Sequence, residues 1–140
     1  FGEGTEKNEI TKLAKKQKVQ IKFKGILDNN ELKELLTNYK YFLTASKFEG
    51  NPKSVLEAMS AGCLIIASDI KNHKEFLNNE NSILFQDTNS LNKILKNLDK
   101  NQYDFKKITE NSLQTIRENY AIENIAKLEL KDIEKLLYSP

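Results

Sequence analysis

Glu49 and Glu57 stand eight positions apart in the stretch FEGNPKSVLEAMSAG, residues 48–62. Between them lie Gly50, Asn51, Pro52, Lys53 and Ser54. A short helix opening at Pro52 would bring free backbone N–H groups, a positive helix end and Lys53 to the spot where the two carboxylates lie. N–H groups and a helix dipole suit phosphate. Carboxylates suit the paired hydroxyls of a ribose or a hexose. Together they fit a nucleotide-sugar. Lys53 and Ser54 precede Glu57 by four and three residues and so share its helix face. The same spacing also describes an ordinary exposed lysine–glutamate pair beside a solvated loop glutamate. Spacing by itself leaves both readings open.

The flanking sequence supplies what must position these groups. Pro52 suits the first helical position, where its missing N–H has no intrahelical partner. Asn51 then falls at the N-cap, with a side-chain oxygen able to accept a free N–H. Gly62 suits the stop, because it tolerates the left-handed backbone after a last turn. Val55, Leu56 and Met59 make the packing face. Near-continuous apolar runs at 41–45 and 63–67 read as strands of a sheet covered on both faces.

The rest of the chain repeats this alternation. Glycines in FGEG turn the chain into a helix at about 5–17, with Ile10, Leu13 and Ala14 on its apolar side. The third glycine of a dinucleotide fingerprint is absent. Val19, Ile21 and Phe23 alternate with polar residues, so 19–24 reads as a strand. Asp28 or Asn29 caps a helix through Tyr39, with Leu32, Leu35 and Leu36 inward. Ser68 and Asp69 end the second apolar strand. A short helix at 72–77, a polar turn at 78–81 and a last strand at 83–85 follow. The Asn- and Lys-rich loops read as solvated. From Asp87 the pattern is helical, with segments near 91–98, 103–119 and 122–137. Strands alternating with helices predict an α/β fold: a Rossmann-like three-layer parallel sheet, helices on both faces, and a helical C-terminal segment over 103–140.

Composition bounds the partners. With 140 residues, 39% hydrophobic and 30% charged, the chain suits one globular domain. Its net charge of +2 leaves no nucleic-acid footprint. The single cysteine, Cys63, cannot close an internal disulfide and reads as a structural thiol. His73 is the only histidine and reads as an exposed helix residue, so no histidine pair exists to hold a metal. No apolar run reaches the ~20 residues of a membrane span, and no stretch of these residues reads as a signal peptide.

The stretch EGNPKSVLEAMSAG strongly resembles the donor-binding signature of retaining glycosyltransferases of family 4. FGEG, the FKG before Asp28, Ser46 three residues before Glu49, IIASD and KEFL are also similar to that family, in the same order. The likeness runs from Phe1 to about Phe85. It implies the C-terminal, donor-binding half of the two-domain GT-B fold, and hence a fragment of a longer enzyme. The parent would move a hexose from a nucleotide-sugar to an acceptor hydroxyl with retention, in polysaccharide, lipopolysaccharide or glycolipid synthesis. UDP is the commoner donor nucleotide in the family and is the expectation here. The family match puts Glu57 on the ribose hydroxyls and Glu49 on the donor sugar. Gly50, Asn51 and Pro52 would lie against sugar or phosphate, with Lys53 and Ser54 near the diphosphate. Ile26 and Leu27 would meet the base, and the Ser68–Asp69 turn would edge the site.

The resemblance also implies no metal and no cofactor beyond the donor substrate. It implies a cytoplasmic enzyme and leaves open peripheral association at the inner face of the membrane. The family's diphosphate-clamping Arg and Lys lie upstream of the FGEG-like turn, and this sequence shows neither. The acceptor-binding domain is likewise outside it. The 140 residues alone are therefore expected to be inactive. A flavodoxin-like nucleotide or regulatory binding module shares the strand–helix pattern and is the alternative of a different class. A GT-B relative such as a sugar-nucleotide epimerase is a third reading.

Overall fold

The computed structural model describes residues 4–50 and 52–138. The first glycine of the FGEG turn and Asn51 therefore lie outside the described residues. The chain divides into two compact units, Phe1–Leu35 and Leu36–Pro140.

In the first unit, α1 spans Lys7–Lys16 and buries Ala14. It closes by a Schellman arrangement: Lys18 N–H donates to Lys15 O (3.2 Å) and Val19 N–H to Ala14 O (2.9 Å). Lys18 supplies the left-handed residue, at φ 56°. The strand expected at 19–24 does not form. A strand exists through its ladder, and this segment has no ladder partner among the described residues. Val19, Ile21 and Phe23 stay 57%, 45% and 38% exposed. The helix expected after Asp28 is present as α2, Asn29–Thr37. Asp28 Oδ1 accepts from the N–H groups of Asn30 (2.8 Å) and Glu31 (2.9 Å), and Glu31 Oε2 accepts from Asp28 N–H (3.0 Å). That reciprocal pair is a capping box.

The second unit runs β1 (Tyr41–Thr44), α3 (Lys53–Ser60), β2 (Leu64–Ser68), α4 (Lys71–Lys74), β3 (Ile83–Phe85), α5 (Thr88–Asp99), α6 (Phe105–Asn119) and α7 (Ile122–Tyr138). The three strands are parallel in the order β1-β2-β3, with Tyr41 opposite Leu64 and Ile66 opposite Ile83. β2 is central, and all of its residues but Ser68 are buried. Leu64 and Ile66 pack with Ile83, Phe85 and Ile94, flanked by Leu91, Leu98 and Phe105. The pleat sends Ile65 and Ala67 to the opposite face, where they are also fully buried. Each buried Ile or Leu contributes about 1.5–3 kcal/mol from loss of contact with water. Helix α3 packs on β2, β1 and α6 and buries Val55, Ala58 and Met59. The small Ala58 permits closer approach than the expected Leu56, which is only half-buried. The α/β architecture is as expected.

Other expectations need correction. β1 is an edge strand among the described residues, and Tyr41 and Leu43 remain exposed rather than covered on both faces. His73 is not exposed but fully buried, because α4 lies directly against the end of β2. The 78–81 turn is not wholly solvated: Asn81 is buried, donating to Phe76 O (2.9 Å) and Thr115 Oγ1 (3.1 Å). The helix before β2 starts one residue later than predicted, with Pro52 as N-cap instead of first helical residue. The Pro52 carbonyl already accepts from the N–H groups of Val55 (2.9 Å) and Leu56 (3.3 Å), which is the work of an N-cap.

Candidate functional site

The Glu49–Glu57 stretch is a loop leaving β1 and a helix returning to β2, placed where ligands gather beyond the carboxyl ends of parallel strands. Among the described residues no side chain caps α3, and the N–H groups of Lys53 and Ser54 in its first turn have no partner. Its far end is fixed by a second Schellman arrangement. Gly62 N–H donates to Met59 O (3.1 Å) and Cys63 N–H to Ala58 O (3.0 Å), with Gly62 at φ 79°.

Glu57 lies one turn beyond Lys53 on α3. Glu57 and Glu49 are half-buried, Ser54 and Pro52 likewise, and Lys53 and Gly50 are exposed. No ion pair joins Lys53 to Glu57 among the described residues. Neither glutamate carboxylate accepts a hydrogen bond from any described residue. Gly50 has open space where a Cβ would sit, and its φ is not in the left-handed region. The protein itself does not require glycine there. Ile26 (78% exposed) and Leu27 (half-buried) belong to the first unit.

The turn after β2 is held from several sides. The Ser68 carbonyl accepts from Ile70 N–H (2.9 Å) and from His73 Nδ1 (2.7 Å). Since a carbonyl only accepts, the histidine proton sits on Nδ1. Ser68 Oγ donates to the carbonyl of Ser46 on the Glu49 loop, and Ser46 Oγ meets Thr44 Oγ1 at 3.2 Å. Asp69 N–H donates to Phe85 O (2.7 Å). The Asp69 carboxylate pairs with Lys74 Nζ at 2.8 Å, and that hydrogen bond holds its carboxyl below the usual range. Sequence reasoning missed this set. A lone histidine in a four-residue helix has no periodicity to read, and serines carry no burial signal.

Cys63 is inert by placement. Its Sγ donates to Leu36 O (3.4 Å) and Tyr39 O (3.3 Å), and burial pushes the thiol pKa up. Among the described residues, no group of three or more His, Cys, Asp and Glu side chains converges as a metal-ligand set.

Known proteins are similar to this chain in sequence and in fold. The chain is 33% identical over 90 residues to the UDP-N-acetylglucosamine–peptide N-acetylglucosaminyltransferase GtfA subunit of Streptococcus parasanguinis, covering 61% of this chain and 17% of that protein. A structure of TarM from S. aureus superposes with a TM-score of 0.75 at 25% identity, over 91% of this chain and 27% of that one. The C-terminal domain of LpcC, a group 1 glycosyl transferase of Francisella tularensis, gives a TM-score of 0.66 at 28% identity, over 83% and 63%. The chain thus spans less than two thirds of each of these relatives. The shared architecture, a parallel sheet flanked by helices, is that of GT-B glycosyltransferases. Residues 1–115, most of the chain and all of the site, match the family described as Glycosyl transferases group 1, and the chain belongs to that family.

Proposed function

We propose that this chain is the donor-binding half of a retaining hexosyltransferase that uses a UDP-sugar. One observation carries the reading: two half-buried glutamates without a partner among the described residues stand on either side of the start of α3 in the chain. A carboxylate that no described residue occupies keeps its acceptor sites available to ligand hydroxyls. Glu57 takes the ribose hydroxyls and Glu49 a hydroxyl of the donor sugar. Gly50 and Asn51 offer N–H groups, Pro52 shapes their approach, and Lys53 and Ser54 lie by the diphosphate. A family relative named for its use of UDP-N-acetylglucosamine and a TarM structure containing UDP support the choice of nucleotide.

In this mechanism the leaving UDP is stabilised by fixed donors: the open N–H groups, the helix dipole and Lys53. No metal is needed to meet the diphosphate charge. The acceptor hydroxyl is held by a separate acceptor-binding domain, so the 140 residues alone bind donor without transferring it. The whole enzyme works in the cytoplasm on polysaccharide, lipopolysaccharide or glycolipid, with peripheral contact to a membrane. Among the described residues, no helix is long and apolar enough to cross one.

Calorimetric titration with millimolar UDP and UDP-N-acetylglucosamine tests the assignment. Hydrogen bonds to a charged group contribute about 1.5–3 kcal/mol, or roughly 10- to 150-fold in Kd. Glu57→Ala should weaken both ligands by that amount, and Glu57→Gln by less. Glu49→Ala should weaken only the UDP-sugar. Unchanged UDP binding by Glu57→Ala would remove the ribose role.

A further inference from the structure

The Glu49 loop is long and almost without backbone support. None of the backbone hydrogen bonds outside the helices and the sheet falls on residues 45–50 among the described residues. The loop is held instead by side chains. Ser68 Oγ donates to the Ser46 carbonyl, and Thr44 Oγ1 meets Ser46 Oγ. Ser68 in turn is set by His73, whose Nδ1–H meets the Ser68 carbonyl beside the Ile70 N–H. His73 Nε2 is buried with no partner among the described residues. Leaving that nitrogen unpaired is unfavourable. An apolar side chain of similar size would avoid the penalty but could not bond Ser68. The histidine is therefore explained by its Nδ1 bond, not by filling space.

We propose that His73 and Ser68 are positioning residues: a buried relay from α4 through the end of β2 that fixes Ser46 and thereby the loop presenting Glu49. Neither touches the donor. Their consequence for binding rests on the assignment of Glu49 to the donor sugar, while their effect on the loop does not. The relay needs a donor at two points. Threonine at 68 keeps the hydroxyl and suits a strand end. Asparagine at 73 places an amide N–H near the Nδ1 position, whereas glutamine, reaching further, does not.

The test is ¹⁵N relaxation on the 140-residue chain, reading the order parameters of Lys47, Phe48 and Glu49, with the thermal midpoint recorded beside it. Wild type should give values near the ~0.85 of rigid backbone, and Ser68→Ala values approaching the ~0.6 of flexible backbone. Ser68→Thr should restore rigidity. His73→Gln should loosen the loop, and His73→Asn should restore much of its order. A loop already flexible in wild type, or equally rigid in Ser68→Ala, overturns the relay. Equal loosening by Ser68→Thr and Ser68→Ala also overturns it, since packing and not the hydroxyl would then be responsible. A loop kept rigid in His73→Gln removes His73 from the relay.

Titration separates this from the donor assignment. With both correct, Ser68→Ala lowers affinity for UDP-N-acetylglucosamine by about fivefold relative to UDP, the low end of coupling between linked sites. Loosening without any change in that ratio leaves the relay standing and overturns the Glu49 assignment. A changed ratio without loosening overturns the relay.

Discussion

Residues 19–24 and β2 both carry large apolar side chains, alternating with polar ones in the first and nearly continuous in the second, and meet different fates. Ile65 and Ile66 are buried between β1 and β3, whereas Val19, Ile21 and Phe23 are exposed and have no ladder partner among the described residues. Alternation shows that a segment can pair, and only a neighbouring strand makes it do so. The two regions also end their helices alike but with different residues. After α3 the left-handed position is Gly62, and after α1 it is Lys18. The α5 stop uses Asn101, with Asn101 N–H on Leu98 O (3.0 Å) and Gln102 N–H on Asn97 O (3.1 Å). One backbone motif thus accepts glycine, asparagine or lysine, at rising steric cost. Only the glycine can be read from sequence.

The largest expected effect contrasts two isoleucines. Ile65→Ala should cost about 2–5 kcal/mol, because β2 is packed on both faces and the cavity cannot collapse. Ile21→Ala should stay within about 0.5 kcal/mol, the usual range for exposed positions. Urea denaturation of both variants measures the difference. Similar losses would mean that 19–24 is a paired, buried strand in solution.

Gly62→Ala should cost about 1–2 kcal/mol. A Cβ there meets nothing within 4 Å, so the whole cost is backbone strain and none is collision. Gly50→Ala, outside the left-handed region and equally open, should leave stability unchanged. Under the proposed assignment it should still lower UDP-sugar affinity. Stability and titration measured on the same two variants would therefore separate a glycine the backbone needs from a glycine the ligand needs.

Acid reveals a smaller term in the second unit. Asp87 caps α5 through Ser90 N–H (2.7 Å), and that bond holds its carboxyl below the usual range. Lys74 does the same for Asp69. A carboxyl lowered in the folded state stabilises it above the unfolded pKa. That contribution disappears as pH falls through the folded value, hence below about pH 4. Circular dichroism during acid titration should show Asp87→Asn losing stability less steeply than wild type in that window. Superimposable profiles would show that the cap does not titrate as proposed.

Legibility in the sequence followed local signals. The order of strands and helices from β1 onward, the Gly62 stop and a helix cap at Asp28 or Asn29 could be read because each depends on neighbours in the chain. The Glu49–Glu57 stretch could be singled out as a candidate because both carboxylates lie within one loop and helix. His73 could not be placed. Its burial comes from α4 meeting the end of β2, and its bond to Ser68 links residues whose types signal nothing. The fate of 19–24 was illegible for the same reason, since a strand depends on a partner and not on its own pattern. The α3 start was missed by one residue because proline suits both the cap and the first turn.

The smallest effect expected is also the sharpest test of the three helix stops. Lys18 holds φ 56° at the end of α1, a conformation that strains any residue with a Cβ. Lys18→Gly removes the strain but gives the unfolded chain more freedom, and the two partly cancel. The net should be a stabilisation of about 0.5–1 kcal/mol. It should be confined to the first unit, so hydrogen exchange is the measurement. Amides of Gln17 and Lys18 bond to α1 carbonyls and should gain protection, while those of Leu64 and Ile66 stay unchanged. Lys18→Asn should fall between, because asparagine tolerates the left-handed region better than lysine. If Lys18→Gly lowers protection across α1, the turn is not left-handed in solution. The likeness between the α1 and α3 stops would then be lost, and the glycine stop would remain a property of α3 alone.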